Sequence, residues 1–266
     1  MALKRIIIAI DEKVSGLTSV RFALNYFGGD KNRISILWLG KLPNQNERSN
    51  APEMQNASVK IASIPMEQRT AIYKIIMEEY PDSKALITSE TLDNFTRKQL
   101  TTLCSFSDIL LATFEVFEDH LSSMFANFVG GRKYNKVCCP KILISKEFEY
   151  PESIVLVKTD QINTIATVKQ FCHIFNEHCA DVNLNLLDLQ DDNRTSSVIE
   201  TQRLLVDYLK QHSAQPAIYT YSGEDAEKLA YILNLTKNTI WVSPLESIEE
   251  LELHNIDGVQ EEFEPS

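Results

Sequence analysis

Five cysteines, five histidines and a scatter of acids supply the side chains of this 266-residue chain that could do chemistry. Their spacing decides what chemistry is open to them. Cys172-His173 and His178-Cys179 form the densest group of metal-ligating types. On a helix, Cys172 and Cys179 lie two turns apart, ~10 Å, too far to share one ion. His173 and His178 are five apart and point in different directions, and no pair falls at the three- or four-residue spacing that shares a face. Buried thiols beside surface histidines are the simpler reading. Cys138-Cys139 would have to bridge adjacent residues, whose Cα atoms lie closer than the ~5.5 Å a relaxed disulfide prefers. The pair reads instead as small apolar packing ahead of a strand. Glu118-Asp119-His120 has the residue types of an acid–base set. Neighbours in sequence point apart on a helix, so this run reads as a solvated helix start with its acids near the positive end of the dipole. Gly-x-Ser-x-Gly, Walker-type and early Gly-x-Gly-x-x-Gly loops are absent from the sequence. The expectation is no catalytic centre and no metal site.

The elements that would carry these residues alternate between strand and helix patterns. Residues 4–11 form a continuous apolar run ending in Asp11, as suits a central parallel strand covered on both faces. Ser15 can cap the helix that follows, with Leu17, Val20, Ala23, Leu24 and Phe27 at helical spacing and Gly28-Gly29 at its end. Residues 33–39 are a second strand, and a polar loop covers about 41–57. A helix over 66–80 stops at Pro81. Strand 84–88, helix 92–104, strand 108–113, a helix over about 119–135 and strand 141–145 complete the first half. Strands separated by helices predict a parallel sheet.

After a linker at 146–152 the pattern restarts. A displacement of 148 residues sets Ile6, Ile7 and Ile8 on Ile154, Val155 and Leu156, Val20 on Val168, and Phe27 on Phe175. In the same frame Ile34, Ile36 and Trp38 fall on Val182, Leu184 and Leu186. One unbroken frame over strand, helix and strand predicts an internal duplication. The second copy continues with a helix over 197–212, a strand over 217–221, a short helix over 224–233 and a strand over 239–242. The fourth helix and fifth strand of the first copy have no clear counterpart. Domains are therefore expected at 1–147 and 152–244, with an acidic tail at 245–266.

The tandem layout, the strand closing in Asp11, and Cys139-Pro140 ahead of Lys141-Ile142-Leu143-Ile144 resemble the universal stress protein family. The resemblance covers residues 4–145 and, more loosely, 153–244. It implies two α/β domains of Rossmann-like, adenine-nucleotide-α-hydrolase-like type. The first would have a parallel five-stranded sheet in order 3-2-1-4-5, and the second a truncated, degenerate one. Nucleotide-binding members hold ATP with a glycine motif: Gly, two residues, Gly, nine residues, then Gly-Ser or Gly-Thr. Its bare backbone N–H groups approach phosphate oxygens. Counting back from Cys139-Pro140, the last pair falls at Asn127-Phe128 and the earlier glycines at Phe117 and Phe114. No glycine occurs between Thr113 and Val129, and Gly130-Gly131 comes too late. Aromatic rings would fill the cradle, and Glu115, Glu118 and Asp119 would each cost a nearby triphosphate on the order of 1 kcal/mol or more. The first half is thus expected not to bind ATP in the family manner. Asp11 matches the aspartate that contacts the adenine and ribose side in binding members. It reads either as a residual nucleotide contact or as a polar residue closing a strand and capping the next turn. In the second half the matching position is Thr159, with Asp160 one place on.

Charge and composition narrow the partners. Eight acids and no Lys or Arg lie in residues 245–266, so most of the net charge of −11 belongs to the tail. No dense basic stripe marks a nucleic-acid surface. The longest strictly apolar runs are about as short as residues 6–10, against the ~20 a membrane helix needs. The first residues run straight into a strand pattern without an export signal, and five cysteines without repeating spacing suit a reducing compartment. A cytoplasmic, non-enzymatic binding or regulatory module without a cofactor is expected. Its partners would be proteins or a second copy, with the two halves imitating a two-fold pair. The alternative is an ATP-sensing switch or a nucleotide-dependent enzyme on the same fold. In the tail, Ile248, Leu251, Leu253, Ile256, Val259 and Phe263 interrupt the acids, and could dock on the second half or engage a partner.

Overall fold

The computed structural model describes residues 3–11, 16–29, 32–39, 65–90, 97–121, 139–158, 161–175, 182–188, 196–212, 217–220 and 238–243. The polar loop, the short helix over 224–233 and the acidic tail lie outside these residues, as does most of the helix expected over 119–135. The chain divides into two compact units, Met1–Glu147 and Phe148–Ser266.

In the first unit, β1 (Arg5–Ile10), β2 (Arg33–Trp38), β3 (Leu86–Glu90), β4 (Ile109–Thr113) and β5 (Lys141–Ile144) form a sheet in the order β3-β2-β1-β4-β5. Each neighbouring pair is parallel, with Ile6 level with Ile34 on one side and Ile109 on the other. β4 is buried along its whole length, and β1 everywhere but Arg5. This is why both read as unbroken apolar runs rather than alternating ones. Asp108, just ahead of β4, accepts a 2.7 Å hydrogen bond from the Arg5 backbone N–H. That contact aligns the starts of β1 and β4. β3 begins two residues later than the sequence pattern placed it, level with the start of β2.

Helix α1 (Gly16–Phe27) lays Leu17, Val20, Ala23, Leu24 and Phe27 onto β1 and β4. Gly16 is required at its start. A Cβ there would stand 2.9 Å from the Cβ of Ile10, closer than packed carbons tolerate. Helix α2 (Met66–Glu79) buries only Ile76 fully, with Tyr73 resting near the Trp38 ring. Its C-terminal turn is fastened to α1 by Arg21, whose guanidinium donates to both Glu79 oxygens at 2.7 and 2.6 Å. Helix α3 is Arg97–Ser105, with Leu100 and Cys104 buried.

In the second unit, β6 (Ser153–Lys158), β7 (Asn183–Asp188), β8 (Ala217–Thr220) and β9 (Thr239–Ser243) are again parallel, in the order β8-β7-β6-β9. Helix α5 (Gln161–Phe175) packs on β6 and β9 as α1 packs on β1 and β4. Helix α6 is Ser196–Leu209. The four strands repeat the first four positions of the first unit.

The single 148-residue frame does not survive beyond the helix. Ile6 lies level with Ile34, but its counterpart Ile154 lies level with Leu184, so the second strand is displaced by 150. Val20 and Val168, and Phe27 and Phe175, are all buried, so the frame holds as far as the helix end. The connection to β7 is therefore two residues longer. A slip of two restores each side chain to its own face of the sheet, which is why the apolar pattern matched in the wrong register.

The Arg21–Glu79 pair holds the Glu79 carboxyl below the usual carboxylate range, chiefly through the hydrogen bond from Arg21. Its contribution is therefore complete at neutral pH and is lost as pH falls through that lowered value. A double-mutant cycle with Arg21→Ala and Glu79→Gln, read by denaturant unfolding, should give a coupling of about 0.5–1 kcal/mol at pH 7. The coupling should shrink once the carboxyl protonates.

Candidate functional site

In the order β3-β2-β1-β4-β5, the chain winds away from β1 in one direction and from β4 in the other. The crevice beyond the C-terminal ends of these two strands is where open parallel sheets accept ligands. Asp11 leaves β1 at this point, and the residues after Thr113 leave β4 beside it.

The chain does not form a loop after β4. Helical structure begins at once, as α4: an α-helical turn over Phe114–Val116 continued by a π-helical turn over Phe117–Leu121. Thr113 is the cause. It is extended, and its hydroxyl accepts a 3.3 Å hydrogen bond from the Val116 N–H, the usual geometry of an N-cap. The helix expected to start near Asp119 thus starts five residues earlier. Glu118 and Asp119 lie a turn inside it rather than at its positive end.

This shift overturns the reading of Glu118-Asp119-His120 as wholly solvated. Glu118 and Asp119 are exposed, but His120 is only 8% exposed. Val116, Phe117, His120 and Leu121 form the buried face of α4, at spacings of one, four and five. His120 Nε2 faces the Oδ2 of Asp11 at 3.9 Å, and Asp11 is itself 2% exposed. One ligand atom from each of Asp11, Asp119 and His120 lies within 4.8 Å of the others. Sequence neighbours do diverge on a helix, but a third residue from another strand sits where both can reach it. The π-helical turn is itself a feature that recurs at functional sites.

Phe114 is half-buried at the first position of α4. Phe117 is buried, with the Lys141 Nζ 4.9 Å from its ring centroid and Lys141 itself buried on β5. Glu115 faces Lys146 at 3.6 Å. Asn127 and Phe128 lie outside the described residues, as do Cys138, Thr159, Asp160, His178 and Cys179. Cys139 and Cys172 are buried, and His173 is exposed on α5.

The strand order defines a doubly wound parallel α/β protein, laid out twice along the chain. No family model and no curated protein matches the sequence. Among solved structures the chain is similar to a candidate universal stress protein from Pseudomonas aeruginosa UCBPP-PA14. That comparison spans 94% of this chain and 97% of the other, at 11% identity and a TM-score of 0.48. It is also similar to a universal stress protein from Archaeoglobus fulgidus DSM 4304, over 87% of this chain and 83% of that one, at 7% identity and a TM-score of 0.42. At such scores the fold assignment rests on the strand order and register of this chain alone.

Removing the cap isolates its role. Thr113→Val keeps the buried shape but leaves the Val116 N–H without its acceptor. It should lower stability by about 1 kcal/mol, measured by urea unfolding, and should raise amide exchange across α4.

Proposed function

We propose that this chain is a universal-stress-protein-like binding or regulatory module without enzymatic activity of its own. It does not hold ATP in the manner of nucleotide-binding members, and it acts in the cytoplasm through protein partners or self-association. One observation carries the reading. The first part of the segment where a triphosphate cradle would lie, residues 114–121, is a capped helical turn with Val116 and Phe117 buried. A phosphate grip needs backbone N–H groups that are both bare and unspent. Thr113 takes the Val116 N–H, aromatic side chains replace glycines, and Glu115 and Asp119 add negative charge. No helix among the described residues is long and apolar enough to cross a membrane.

A second reading, a nucleotide-dependent switch or enzyme, draws support from Asp11 and His120 at the crevice where ligands bind on such sheets. Thermal melting in millimolar Mg-ATP, against magnesium alone, separates the two. A ligand at 100 times its dissociation constant stabilises by ~2.7 kcal/mol. The expected result is an unchanged melting temperature. A rise of several degrees specific to ATP would replace the first reading with the second.

A further inference from the structure

We propose that Asp11, Asp119 and His120 bind a divalent transition-metal ion of the zinc type at the switch point between β1 and β4. This goes beyond the functional reading above and does not depend on it. Three observations converge. The three side chains supply a ligand atom each within 4.8 Å. The separation of His120 Nε2 from Asp11 Oδ2, 3.9 Å, is too long for a hydrogen bond. Two ligands ~2.1 Å from one ion at the tetrahedral angle stand ~3.4 Å apart, so a movement of about half an ångström would close this pair on an ion. His120 is more than nine-tenths buried, and its Nδ1 has no hydrogen-bond partner. The buried imidazole thus faces a buried carboxylate across a gap that an ion bound to both would bridge.

The donor set selects the ion. Magnesium and calcium prefer oxygen alone, whereas one imidazole with two carboxylates suits zinc or manganese. Two carboxylates balance a double positive charge, and the imidazole binds neutral. Asp11 is held by the end of β1 and His120 by the packed face of α4, so both are fixed before the ion arrives. Asp119 is exposed at the rim, where a rotamer change can bring its oxygen the last ångström. Three protein ligands leave a position for water or for a group from a bound partner.

The test uses the full chain stripped with a chelator, dialysed against zinc chloride, with bound metal counted by mass spectrometry. One zinc per chain is expected. Asp119→Asn should weaken binding by about tenfold or more, and His120→Gln and Asp11→Asn should do so at least as strongly. Circular dichroism of the stripped variants reports whether each still folds. If Asp11→Asn does not, Asp119→Asn alone decides, because its side chain lies on the surface. Cobalt in place of zinc should give a spectrum without thiolate charge-transfer bands. Failure to bind one equivalent, unchanged affinity in Asp119→Asn, or a thiolate band showing that cysteines hold the ion would each overturn the proposal.

Discussion

A parallel sheet covered on both faces can place polar side chains in few positions other than the ends of its strands, and that constraint organises this molecule. β1 and β4 are buried from Ile6 and Ile109 onward. Any acid or imidazole within them would lose its hydration without recompense. Asp11 and Thr113 are the first polar residues each strand permits, and both remain buried. Because β1 and β4 are adjacent and parallel, these residues emerge side by side. The site is a consequence of strand order before it is a consequence of any motif.

Most of the fold was legible because the same constraint writes itself into the sequence. Strands buried on both faces must be apolar at every position, so β1 and β4 stand out without alternation. α1 and α5 show their packed stripes at helical spacing, with Phe27 and Phe175 closing each. The sequence pattern was blind where two structures share one signature. A slip of two residues in a strand leaves its facing unchanged, so the extra pair before β7 was hidden behind a match of apolar residues that remained good. Only hydrogen-bond register, Ile154 level with Leu184 and not with Val182, exposes it.

The site was half legible. Asp11 drew notice because it ends an apolar run. His120 is masked in the sequence by the exposed acids beside it, whose charge suggests solvation of the whole run. A signal was present. Val116, Phe117, His120 and Leu121 fall on one face of a helix, and three of the four are apolar, so the fourth must be buried with them. Seeing this required the helix to begin at Phe114. That start depends on Thr113, which the pattern assigned to a strand rather than to a cap.

The helical turn that follows β4 decides which groups face this crevice. A glycine loop presents backbone N–H groups, whose partial positive charge suits an anion. A helix that starts directly at the strand end, as here, commits one of those groups, the Val116 N–H, to the Thr113 cap and brings side chains to the crevice at angles set by its turn. Here the side chains on offer are carboxylates and an imidazole, whose lone pairs repel phosphate oxygens and attract a cation. On the proposed reading, these side chains favour a cation over a phosphate while the sheet that supports them is unchanged. The Phe117 ring is buried against the Lys141 ammonium, and it anchors the turn that carries Asp119 and His120. Unwinding this helix would take with it the packing that places His120 beside Asp11.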